Sequence, residues 1–427
     1  MTTRRHLLLG GIGTAALSGL PLLRAGAQAP TRVRMAWWGS QERADRTNKV
    51  SQLYMQQHPG VTVDGESMGW GDYWPKLATQ VVGRNAPDLI QMDYRYLFEY
   101  GRRGALLALD RYVPQPLAVG GWDAKFLDVG KADGKLYGIN FGANSPAMVF
   151  SRSRLDELGI AAPTPEMTWS DLARFGEEIT RKANKPDYYG LCDTCMREPI
   201  FEIFLRQKGQ LLYTADDKLG FDAAATEEWL ALWQEMRKRR ACVPIEVQAM
   251  YQNNIESSAL SMGKAAVDFP HSNQLVAYQR MNRDKLDLTM LPVTGADAKP
   301  GQYLKPSQLL SIFARSRQPE EAVKLLNFFV NDAKAGELLG VERGAPIAEA
   351  QRAVVKQGTD ETSRQMIAYI ELVSGRVGPV PPPPPKGAGE IALLLRRVSE
   401  QVGFNRVTPR QGATQFMAEA TDILSRG

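Results

Sequence analysis

Between residues 32 and 109 short apolar runs alternate with longer amphipathic ones, and nothing else in the chain constrains its fold as tightly. Residues 32–38 read as a strand. Residues 45–57 read as a helix with Val50, Leu53, Tyr54 and Gln57 along one face, stopped by His58-Pro59-Gly60. A second strand begins at Val61-Thr62-Val63, and a second helix covers 72–82. Asn85-Ala86-Pro87 then breaks the chain before a third, apolar strand at 88–92. Another helix ends near Gly104, followed by the run 106–109. Strands separated by helices of this length pair in parallel, and a parallel sheet needs helices on its faces. Ligands of such sheets sit beyond the carboxyl ends of the strands. Those ends are Trp38-Gly39-Ser40 and Asp93-Tyr94.

A second unit begins near Ser145. Residues 135–140 and 147–150 read as short strands, 153–158 as a helix, and Ala161-Ala162-Pro163-Thr164-Pro165 as a break. Thr168 with Asp171 three residues on is a capping-box pattern that opens the next helix. Residues 196–208 and 226–240 are helical by period, and Trp229, Trp233 and Met236 share a face that reads as core. Strand character returns at 265–269, 286–291 and 308–314. A helix follows at 319–330, with Pro319 in its first turn and Ala322, Leu325, Leu326, Phe329 and Val330 as its buried stripe. The proline run 379–385 must be extended polyproline. Two short helical segments follow it, too little for a further domain, so it reads as a rigid surface loop within the second unit.

The first 27 residues read as an address. Arg4-Arg5 precede an uncharged run from Leu7 to Leu23, which ends in Arg24-Ala-Gly-Ala-Gln-Ala29. This is the pattern of a bacterial export signal of the twin-arginine type, with cleavage after Ala27 or Ala29 and a periplasmic destination. Glycines and Pro21 make the run a weak membrane span. Gly11-Ile12-Gly13-Thr14-Ala15-Ala16 mimics a dinucleotide fingerprint but lacks the preceding strand and the later acidic residue. The formal charge of +5 falls to +2 without Arg4, Arg5 and Arg24, which is no nucleic-acid footprint. The three histidines, His6, His58 and His271, build no His-rich metal site, and HExxH, GxSxG and GxxxxGK are all missing. No metal, cofactor or catalytic residue is expected. A chain of 427 residues holds two or three domains at about 100–200 residues each.

Several stretches, in order, resemble the extracellular solute-binding proteins of bacterial ABC importers, in their carbohydrate-binding group. These are Ala86-Pro87-Asp88-Leu89-Ile90-Gln91-Met92-Asp93 with Gly104-Ala105-Leu106-Leu107-Ala108-Leu109-Asp110, and Gly134-Lys135-Leu136-Tyr137-Gly138-Ile139. Gly263-Lys264-Ala265-Ala266-Val267 and Phe328-Phe329-Val330-Asn331-Asp332 continue the series. The resemblance implies an α/β fold of two lobes, the type II periplasmic binding protein fold, with three hinge crossings and a central ligand cleft. It places the crossings near 143–147, 267–269 and 311–314. One lobe would then hold 28–143 with 267–312, and the other 144–266 with 313–427. It implies a monomer that closes on its ligand and docks on permease subunits powered by a separate ATPase.

A sugar presents hydroxyls in a fixed array and C–H patches on its ring faces. A site for it needs planar aromatics and hydrogen-bonding side chains. At the expected cleft this sequence offers Trp38, Gly39, Ser40, Arg43, Trp70, Asp93, Tyr94, Asn144, His271, Asn273, Ser307, Gln308 and Arg343. Of Trp37 and Trp38, one must face away, and Trp38 is the expected cleft residue. Gly39 would admit a close backbone approach to the ligand. Asp93 reads as a ligand contact or a helix N-cap. Arg43, His271 and Arg343 together suggest an acidic sugar. Cys192 and Cys195 form a CxxC that, after export, reads as a structural disulfide or as two free thiols, the disulfide being the expectation. The rival reading is an exported carbohydrate-active enzyme with paired carboxylates across the cleft. Another is the same binding fold with a peptide, a phosphodiester or a polyamine as ligand.

Overall fold

The computed structural model describes residues 30–426 except Asp123, Asn253, Gly358 and Thr359. The export segment expected at 1–27, with its cleavage point near Ala27 or Ala29, lies outside the described residues.

The expected alternation builds the first of two larger sheets. Its strands run in the order Val61–Met68, Thr31–Trp38, Leu89–Met92, Leu309–Ile312, Ile139–Asn140. The first three are parallel, with Val33 opposite Val63 and Met35 opposite Leu89, and Leu309–Ile312 joins antiparallel. Side chains alternate across Thr31–Trp38. Val33, Met35 and Trp37 enter a core with Tyr54, Leu325 and Phe329 from the helices Gln41–Gln57 and Pro319–Asn331. Ala36 and Trp38 enter another with Tyr73, Leu77 and Leu97.

The second sheet runs Leu286–Thr289, Met148–Ser151, Ala265–Asp268, Tyr189–Leu191. Trp229, Trp233 and Met236 are fully buried beneath it, as their spacing predicts. Against them pack Ala388–Gly403 and Pro409–Ser425, which are long helices of 16 and 17 residues rather than the short segments expected. The proline run is an extended connection between Glu361–Ser374 and Ala388–Gly403, both in the second lobe. Among the described residues no helix is long and apolar enough to cross a membrane.

Two of the expected boundaries are corrected by strand pairing. Residues 267–269 are no crossing, because Val267 pairs with both Phe150 and Leu191 inside the second sheet. Residues 311–314 are no crossing either, because Ser311 pairs with Ile90 inside the first. The segment 267–304, assigned from sequence to the first lobe, therefore belongs to the second. Pro319–Asn331 and Ala333–Leu339, assigned to the second, pack on the first. The chain passes between the two larger sheets at 141–147, set against the expected 143–147, and also at 303–308 and 341–348. There Ala143 and Asn144 pair with Pro306 and Lys305, and Ala143 bridges to Ala345. Gly344, at φ +91°, lets the third crossing pass this closely, since a Cβ on it would lie 2.4 Å from the Ala143 carbonyl oxygen.

Candidate ligand cleft

The first-lobe wall is built at the carboxyl ends of two strands. Ser40, two residues beyond the first strand, caps Gln41–Gln57, and Asp93 caps Tyr94–Arg102 by accepting from the Arg95 N–H at 2.9 Å. Trp37 is buried with the helices, whereas Trp38 faces Trp70, their ring centroids 5.1 Å apart. Trp70 and Trp74 extend this aromatic surface to Tyr96, and Trp70 remains 37% exposed. Gly39 does serve a close approach, but by protein: a Cβ there would meet the Arg43 Cδ at 2.3 Å.

Arg43 and Arg343, expected as ligand groups, are both buried beside the carboxyl of Glu342. Arg43 pairs with Glu342 at 2.9 Å and donates to the Trp38 carbonyl. Arg343 donates to Gln91 and Thr47 and lies over the Phe141 ring. Burial pulls the Arg343 guanidinium down to about 9, reinforced by Arg43 and only partly offset by Glu342. Burial alone would raise the Glu342 carboxyl, but Arg43 and then Arg343 hold it below its ordinary range. Asn144, Asn273, Ser307 and Gln308 belong to the same hinge. Asn144 donates to Asn273, Asn273 to the Glu342 carbonyl, and Ser307 to the Arg343 carbonyl, while Gln308 is buried beside Ser307.

Across the cleft the lobes meet through Arg95 and Glu198, which the sequence reading missed, and through Tyr94, which it named. Arg95 donates from Nη2 to Glu198 Oε2 at 3.0 Å, which joins Tyr94–Arg102 of the first lobe to Glu198–Gln207 of the second. Tyr94 donates to the Pro381 carbonyl at 3.4 Å, so the proline run lies along this seam. Glu202, one turn beyond Glu198, accepts from the Tyr303 hydroxyl at 2.8 Å. Burial lifts its carboxyl to about 7, against that hydrogen bond and with Glu198 adding to the rise. His271 is held neutral by burial and then by Lys305, Arg197 and Arg95, in that order. Its Nε2 has no hydrogen-bond partner among the described residues, nor has the buried Tyr213 hydroxyl. A sequence signal existed for Arg95, which follows Asp93-Tyr94 directly. None existed for Glu198, whose place depends on how two helices from different lobes face each other.

The expected Cys192–Cys195 bridge is not formed. Both are free and buried, as is Cys242. Cys192 packs with Val149 and Tyr278 on one face of the second sheet, and Cys195 with Cys242 and Trp229 on the other. Burial pushes the Cys195 thiol up to about 12, far from the thiolate that exchange chemistry needs.

The geometry agrees with what the chain is similar to. An extracellular solute-binding protein of family 1 from Alicyclobacillus acidocaldarius is 28% identical, with TM-score 0.70, the match covering 93% of this chain and 99% of that one. A periplasmic oligogalacturonide-binding protein from Yersinia enterocolitica, solved with saturated digalacturonic acid, has TM-score 0.83 at 22% identity and the same coverage. A periplasmic solute-binding protein from Pectobacterium atrosepticum has TM-score 0.82 at 20% identity, again over 93% and 99%. At these identities the last two establish the two-lobe fold. The sequence pattern of the bacterial extracellular solute-binding proteins matches residues 49–355, and the chain belongs to that family.

Proposed function

We propose that the mature protein captures a sugar or oligosaccharide between its lobes and delivers it, closed, to permease subunits driven by a separate ATPase. One observation carries the ligand class. The protein holds buried hydrogen-bonding groups without partners among the described residues, His271 Nε2 and the Tyr213 hydroxyl, and a cluster of rings, Trp38, Trp70, Trp74 and Tyr96, that opens to solvent at Trp70. Planar rings and unpartnered hydrogen-bonding groups match the two chemistries of a saccharide. The solved relative from Yersinia, which binds an oligogalacturonide, supports the same reading.

Ligand touching both walls favours the closed form, so binding shifts the open–closed population. Arg4-Arg5 and the run behind them direct export by the twin-arginine route, with cleavage near Ala27 or Ala29 and periplasmic release of a monomer. Hydrolysis is not part of this reading. Glu198 and Glu202 share one wall and one helix, whereas a glycosidase sets its two carboxyls on either side of the scissile bond. A thermal-shift panel of neutral and acidic di- and trisaccharides tests it, with products followed by chromatography. Stabilisation without turnover is expected. Turnover, or stabilisation by peptides or polyamines alone, overturns it.

A further inference from the structure

Two ion pairs join the lobes, Arg280–Glu42, whose guanidinium is largely exposed, and Arg95–Glu198, in which both side chains are mostly buried. Arg43–Glu342, Arg237–Asp193 and Arg197–Asp268 each lie within one lobe or at the hinge. Arg95–Glu198 spans the cleft, so it exists only while the lobes are together. In a two-lobe binding protein the group that bridges closed walls is ordinarily the ligand. Here a carboxylate of the second lobe does the bridging, and the group it meets is a guanidinium, whose planar fork matches the geometry of oxyanions such as carboxylates.

We propose that Glu198 stands in for a ligand carboxylate, and that the cleft takes an acidic saccharide whose carboxylate exchanges with Glu198 on Arg95. The inference rests on the saccharide reading and names the charge of its ligand. Lys305, Arg197 and Arg95 each add, after burial, to the penalty on a charged His271 ring. Arg197 is held by Asp268 at 2.8 Å, and Lys305 makes no ion pair with an acid among the described residues. His271, kept neutral, has its Nε2 left over for a hydrogen bond to a sugar oxygen. On closure over an acidic ligand, Glu198 and the ligand compete for one guanidinium. Glu198 thereby sets a threshold that weak anions do not cross, which makes it a specificity-determining residue rather than a ligand contact.

Calorimetric titration of the mature protein tests this with digalacturonate and with its methyl diester, which has the same shape and no charge. The wild type binds the acid at least about tenfold more tightly than the diester, and the preference shrinks with added salt. Glu198→Gln removes the competitor, tightens the acid about tenfold and leaves the diester within about twofold. Arg95→Gln abolishes the preference, and matched circular dichroism melts show that both variants fold. Equal affinity of the wild type for acid and diester overturns the exchange and leaves saccharide capture standing. Glu198→Gln weakening both ligands also overturns it, by making Glu198 a hydroxyl acceptor. Failure of every saccharide to bind the wild type overturns the parent reading itself.

Discussion

Two arginine–glutamate pairs face the same cleft from different positions, and their difference separates what holds the molecule together from what lets it move. Arg43–Glu342 is sealed in the hinge, with side chains 8% and 6% exposed. Arg95–Glu198 joins the lobes, with side chains 27% and 10% exposed, and each member returns to water when they part. A charge that never meets water must be matched for the fold to exist. A charge that meets water periodically can be exchanged.

The comparison is broken first at the hinge. Glu342→Gln leaves Arg43 and Arg343 buried with no counter-charge, and costs about 3–5 kcal/mol in urea unfolding. A loss comparable to that of an exposed pair would put Glu342 outside the protein's permanent frame. Gly344→Ala forces a side chain toward the Ala143 carbonyl oxygen at positive φ, with a loss of about 1–3 kcal/mol on the same measurement. An unchanged midpoint would mean that the third crossing has room to shift.

The cleft side is sharpened by pH. The Glu202 carboxyl is raised by burial to about 7, above its unfolded value of about 4.3, so it favours the folded state while protonated. That contribution is complete below about pH 4 and is lost as pH rises to about 7, on the order of 1–3 kcal/mol. Glu202→Gln flattens unfolding free energy across this window, and a profile parallel to the wild type refutes the assignment. Arg95→Gln costs only about 1 kcal/mol, yet enlarges the radius of gyration of the ligand-free protein in small-angle scattering, because the open form loses nothing. Smallest of all is the effect of reductant, since three free buried thiols predict no change in mass and none in Tm.

Local order was legible because local chemistry sets it. The Thr168–Asp171 capping box forms, Pro319 opens its helix, and the tryptophan stripe at 229 and 233 is core. The helix expected from Asp45 starts at Gln41, because Ser40 caps it ahead of any apolar period. Long-range order was hidden. Nothing in the neighbourhood of Leu310 announces that it pairs with Gln91, or near Val267 that it pairs with Phe150, and so the lobe boundaries were misplaced. The site divided in the same way. Strand ends led to Trp38, Asp93 and Tyr94, and the structure sets all three at the carboxyl ends of two parallel strands. Arg43 and Arg343 were found near the cleft but read as ligand groups, because their shared acid is matched through packing that joins residues far apart in sequence. Glu198 shows the opposite failure, a residue in the cleft with no local pattern to mark it.

The paired backbone at the crossings has a mechanical consequence. Ala143 is hydrogen-bonded to the third crossing while its strand is laddered to the second, so three separate passages of chain behave as one ribbon. Three independent threads would let one lobe tumble about the other in any direction. A ribbon bends easily across its thin dimension and resists twist and shear. The lobes should therefore swing like a door on a single axis, bringing Arg95 back to the same spot at every closing.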